Sequence, residues 1–94
     1  MKIPKKLKIG GHWYKIILQN RAEQGGSDKL GTSLVYKNTI FLDNSASETH
    51  QESTFLHEIL EIISVLNKMD LTETQICVFE TGLYQVLMDN RLLK

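Results

Sequence analysis

The stretch from Ser45 to Asn67, SASETHQESTFLHEILEIISVLN, decides how the chain is read. It holds neither glycine nor proline. At about 100° per residue its apolar side chains gather on one arc: Phe55, Leu56, Ile59, Leu60, Ile62, Ile63 and Leu66. Ser45 stands three residues before Glu48, the spacing of a capping box, in which each side chain satisfies an orphan backbone N–H of the first turn. A helix to about Asn67 follows. Thr72 and Gln75 repeat the box, and Leu71 with Ile76 offers a hydrophobic staple. A second helix then runs to about Leu92, with Gly82 inside it. Its apolar arc is Ile76, Phe79, Leu83, Val86 and Leu87.

Upstream the periodicity changes. Leu7–Ile9 and Trp13–Leu18 are rich in strand formers and flank Gly10-Gly11, a pair that supplies the positive φ angles of a tight hairpin turn. Thr32–Tyr36 and Thr39–Leu42 form a second candidate hairpin around Lys37-Asn38. Between the hairpins, Asn20 to Gly31 is polar and glycine-bearing and reads as a surface loop. The expected fold is α+β: a small antiparallel sheet of two hairpins, then two long packed helices, in a single domain over residues 1–94.

Composition narrows the function. Of 94 residues, 41% are hydrophobic and 23% charged, which argues against a disordered or fibrous chain. Eleven basic and eleven acidic side chains cancel, so general electrostatic binding to nucleic acid or an anionic membrane has little support. No run approaches the roughly 20 apolar residues of a membrane span. The basic start, Lys2, Lys5, Lys6 and Lys8, lacks the apolar stretch of a targeting signal. The one cysteine, Cys77, has no internal disulfide partner, which fits a reducing compartment, and a cytoplasmic location is expected.

Chemistry concentrates in the first helix. His57 and Glu61 are four apart, so their Cβ atoms stand about 6 Å from each other on one face. An imidazole nitrogen and a carboxylate oxygen are both good zinc donors. Glu58 lies about 100° around the helix, where the glutamate of H-E-x-x-H sites acts as general base. The arc opposite the apolar one carries His50, Ser53, Thr54, His57, Glu58, Glu61, Ser64 and Lys68. On this helix alone, a solvated face and a metal site both explain it. Glu80 adds weight to the second reading. It falls inside the apolar arc of the second helix, where a carboxylate is costly unless it is paired, bound to a metal or long enough to reach solvent. Helices joined by a short link pack antiparallel, which would bring Glu80 to His57 and Glu61.

These residues resemble the small zincin-like metallopeptidase proteins encoded by phages and prophages, distantly similar to ImmA/IrrE-type peptidases. The resemblance rests on Ile9-Gly10-Gly11-His12-Trp13-Tyr14, Thr39-Ile40-Phe41-Leu42-Asp43, Thr54-Phe55-Leu56-His57-Glu58-Ile59-Leu60-Glu61 and the run from Phe79 to Asn90. It implies a peptidase in which His57, Glu61 and Glu80 hold a metal and Glu58 takes the proton from water. Glu61 departs from the second histidine of H-E-x-x-H members and makes the chain an H-E-x-x-E variant. A ligand shell of one histidine and two carboxylates is more anionic, so it lowers Lewis acidity and weakens hydrolysis. Zinc is the expected ion, and the oxygen-rich shell also suits manganese or iron.

The remaining candidates read as structural. His50 reads as a surface residue near the helix start, His12 as a hairpin residue after the Gly-Gly turn, and Glu73 as a carboxylate favoured by the helix dipole. Cys77 reads as packed or inert, and Trp13 with Tyr14 as packing the hairpin on the helices. Tyr84, one turn after Glu80, reads as a packing aromatic or as a hydroxyl for a substrate oxyanion. Two function classes compete: a metal-dependent peptidase acting on a peptide or protein, and an inactive zincin-like scaffold that docks a protein partner. Nucleic-acid binding is the weakest, without a basic helix or finger spacing.

Overall fold

The computed structural model describes residues 1–20 and 30–93. The expected loop from Asn20 to Gly31 falls mostly outside the described residues. Four strands precede two helices: β1 (Lys6–Ile9), β2 (His12–Gln19), β3 (Gly31–Leu34), β4 (Thr39–Asp43), α1 (Glu48–Leu66) and α2 (Glu73–Asp89). The α+β class is as the sequence implies. No helix among the described residues is long and apolar enough to cross a membrane.

The sheet differs from two antiparallel hairpins side by side. Its order is β1-β2-β4-β3, antiparallel at β1/β2 and β3/β4 but parallel where β2 meets β4, with Ile16 opposite Ile40 and Leu18 opposite Leu42. Each hairpin is local and legible; the strand that adjoins β2 is set by tertiary packing. Placing β4 in the interior lets Ile40 and Leu42 be fully buried and leaves β3 as an edge strand. Gly10 and Gly11, at φ 58° and 86°, make the β1–β2 turn that their pairing suggests. Val35–Lys37 form a single 3-10 turn, and Asn38 takes the left-handed conformation that returns the chain into β4.

Ile9, Tyr14, Ile40, Leu42, Phe55 and Ile62 form the core between the sheet and α1. Tyr14 is fully buried and its hydroxyl donates to the Val35 carbonyl oxygen at 3.0 Å, so its polar end is satisfied. Trp13, expected to pack beside it, faces outward under the ammonium groups of Lys6 and Lys8, 4.9 and 5.8 Å from the ring centre. Strand alternation sends neighbouring side chains to opposite faces, and only one of the two aromatics can face the helices.

Both helix starts are capped, with one change. Ser47 is the N-cap of α1, accepting from the His50 N–H. Ser45 instead donates its backbone N–H and hydroxyl to buried Asp43, at 2.9 and 2.7 Å. Thr72 and Gln75 form the expected capping box of α2. The apolar arc expected for α2 faces inward only in part. Ile76 is buried, whereas Phe79, Leu83 and Val86 are 55%, 40% and 45% exposed. The face of α2 toward α1 carries Glu80 and Tyr84, which bond to His57 and Glu52.

Candidate metal centre

Gly31 sets the first distance in the site. A Cβ there would lie 2.6 Å from the Thr54 Cγ2 and 3.3 Å from the Glu58 Cγ. The absence of a side chain therefore lets β3 close onto α1. Two residues along, the Ser33 hydroxyl donates to Glu58 Oε1 at 2.5 Å. Glu58, placed by periodicity on a solvated face, is thus buried, with 3% exposure. Burial pushes its carboxyl up to about 7. The Ser33 hydrogen bond and His57 pull the other way, while the charges of Glu61 and Glu73 add to the rise. A carboxyl near neutrality is what a group that both accepts and returns a proton needs.

His57 stands where the two helices meet. Its Nδ1 lies 2.8 Å from Glu80 Oε1. Its Nε2 lies 3.0 Å from Glu73 Oε1 and 3.9 Å from Glu61 Oε2. Burial disfavours the imidazolium, but the Glu80 hydrogen bond and the charges of Glu58, Glu73 and Glu80 outweigh it, so the ring holds its proton more tightly than a free histidine. The structure therefore brings His57, Glu61 and Glu80 together, with Glu61 and Glu80 at different nitrogens of the ring. Two donor groups share that ring, each with all its donor atoms within 4.8 Å of one another. One is His57 with Glu58 and Glu61; the other is His57 with Cys77 and Glu80. Such a His/Cys/Glu cluster has the donors to hold a metal ion.

A cleft of about 510 Å³ opens over the first group. Gly31, Thr32 and Ser33 of the edge strand form one wall, and Thr54, His57, Glu58, Glu61 and Glu73 line the rest. Tyr84 is not an oxyanion donor to this cleft. Its hydroxyl donates to buried Glu52 at 2.5 Å and is pushed up to about 12 by burial and that carboxylate. Glu52 also meets the Met1 ammonium group at 3.2 Å. His12 and His50 are both exposed, the latter as expected.

Three participants escaped the sequence reading. Ser33 carries no motif. Glu73 and Cys77 were assigned to the helix dipole and to packing, yet both reach His57, with the Cys77 Sγ 4.0 Å from Nδ1. The signal was present: Glu73, Cys77 and Glu80 are spaced i, i+4, i+7 and share one face of α2. Desolvation by its neighbours and the charges of Glu73 and Glu80 push the thiol of exposed Cys77 up, which disfavours a free thiolate nucleophile.

No family model matches the chain, and neither a curated protein nor a solved structure does.

Proposed function

We propose that the protein is a metal-dependent hydrolase of peptide bonds, zincin-like in kind, with Zn²⁺ as its ion and Mn²⁺ or Fe²⁺ as substitutes. One observation carries this reading: a cleft beside an edge strand in which a buried carboxyl near neutrality adjoins a convergent histidine and glutamate. His57, through Nε2, and Glu61 would hold the ion, and Glu73 lies 3.0 Å from the same nitrogen. A bound divalent ion would supply Lewis-acid activation of water and of the scissile carbonyl.

The chain's own residues do the rest. Glu80 accepts from His57 Nδ1–H, which fixes the tautomer and leaves the Nε2 lone pair facing Glu61 and Glu73. Glu58 takes a proton from the attacking water and returns it to the departing amine. Ser33 holds the Glu58 carboxyl in place from β3. An extended peptide pairing with β3, the edge strand among the described residues, would lie across the cleft wall, so main-chain bonds would recognise it with few side chains.

The test is metal content by elemental mass spectrometry on untagged protein, paired with a peptide-hydrolysis screen of the parent and Glu58→Gln. The reading expects about one equivalent of zinc in both proteins and turnover lowered about 10²–10⁴-fold in the variant. A folded parent that takes up no zinc, manganese or iron overturns it.

A second reading, a protein-docking scaffold, is favoured by the exposed apolar residues Val78, Phe79, Leu83 and Val86 along α2.

A further inference from the structure

We propose that Cys77 creates a second ion seat on the opposite side of the His57 ring, made of His57 Nδ1, Cys77 Sγ and Glu80 Oε1, for a thiophilic divalent cation of the zinc class. The seat lies outside the cleft group, and its existence does not depend on hydrolysis.

Geometry carries the argument. Cys77 and Glu80 are three residues apart on one face of α2, and His57 meets them from α1. Around a tetrahedral ion with ordinary zinc bond lengths, a nitrogen and an oxygen donor stand about 3.3 Å apart, and a nitrogen and a sulfur about 3.6 Å. Here the corresponding separations are 2.8 and 4.0 Å. Each needs a shift of roughly half an ångström to match those bond lengths. Cys77 is exposed, so an ion from solvent reaches the sulfur without the core opening. Glu73 Oε1 lies 3.9 Å from that sulfur but 3.0 Å from Nε2, so it belongs to the other nitrogen of the ring.

Donor chemistry then separates the two sides of the ring. The cleft group offers oxygens beside the imidazole, a set open to harder ions such as manganese. The Cys77 group offers a thiolate, which selects zinc, cobalt or cadmium over magnesium, calcium or manganese. A neutral imidazole has one lone pair in the ring plane. An ion at Nδ1 therefore leaves Nε2 protonated and directed at Glu73 and Glu61, while an ion at Nε2 leaves Nδ1–H bonded to Glu80. The two seats exclude each other. Given the hydrolase reading, a thiophilic ion at Cys77 disarms the cleft.

The experiment is a Co²⁺ titration of the full chain followed by absorption, since thiolate-to-cobalt charge transfer gives a near-ultraviolet band that oxygen and nitrogen donors lack. The parent should develop the band to saturation at about one equivalent. Cys77→Ser should abolish it, and with the exposed side chain so little changed, its far-ultraviolet circular dichroism should match the parent. Glu61→Gln, at the other nitrogen, should keep it. Cobalt bound by the parent without the band, no cobalt bound at all, or loss of the band in Glu61→Gln would each overturn the second seat. Because the readout is optical, a missing band leaves the hydrolase reading standing, and a band in a protein without peptidase activity removes only that reading.

Discussion

The two faces of α1 are joined to their neighbours by different chemistry. Toward the sheet, Phe55 and Ile62 enter a sealed apolar core with Tyr14, Ile40 and Leu42. Toward α2, the joint is Ile76 together with polar pairs, His57 to Glu80 and Tyr84 to Glu52. The first joint depends mainly on volume, and its titratable contact is Glu58 against Ser33 of β3. The second depends on the protonation and ligation of its side chains. His57 and Glu58, adjacent in sequence, divide between them: His57 turns to α2 and Glu58 to β3.

The largest effect should come from the apolar joint. Ile62→Ala removes a fully buried side chain and should cost about 2–5 kcal/mol in urea denaturation. A loss below about 1 kcal/mol would show that this joint is looser than its burial implies. Next is Gly31→Ala, whose Cβ collides with Thr54, at about 1–3 kcal/mol. Adding Thr54→Ser deletes the opposing methyl and should recover most of that loss. A double variant no more stable than Gly31→Ala would place the strain elsewhere.

A smaller effect is read by pH and draws on one titratable contact in each joint. Folded Glu58 holds its proton up to about 7 against an ordinary 4.5, so the native state binds more protons than the unfolded chain between those values, and stability falls as pH rises through them. His57, also raised, contributes stability that is complete below about 6.5 and lost as pH climbs through its folded value. Metal-free protein should therefore melt about 5 °C lower at pH 8 than at pH 5. Saturating zinc should reverse the trend, because the ion needs deprotonated donors. Equal melting temperatures at both pH values in chelator would contradict this account. The smallest effect belongs to the outer face of α2: Leu83→Ser, at a 40% exposed position, should change stability by less than about 0.5 kcal/mol. A loss above 1 kcal/mol would mean that this face is covered in solution.

Much of this was legible in the chain. Periodicity marks α1, the Thr72 and Gln75 capping box marks the start of α2, glycine pairing marks the first turn, and helical spacing brings His57 and Glu61 to one face. What stayed hidden needed contacts distant in sequence. Periodicity puts Glu58 on a polar arc, and only the approach of β3, allowed by Gly31, buries it. For α2 only one flank of the apolar arc was right: Ile76 and Glu80 turn to α1, while Phe79, Leu83 and Val86 face outward. Glu73, Cys77 and Glu80 share an equally regular face, and the structure turns that face toward His57. Hydropathy alone ranks the apolar arc first because it counts burial and gives no weight to polar pairing. The parallel register of β2 and β4 has no local signature at all.

The polar attachment of α2 has a consequence for how the molecule opens. With Ile76 as its buried side chain, α2 is the segment that should detach as a unit while the sheet and α1 stay folded. Amide hydrogens of residues 76–89 should then exchange with solvent well before those of β4 or the centre of α1. Because Cys77, Glu80 and Glu73 ride on α2, any ion they hold becomes the rivet of that segment. Chelation and partial unfolding would be two descriptions of one equilibrium, and a chelator would shorten the protection of α2 while leaving β4 untouched.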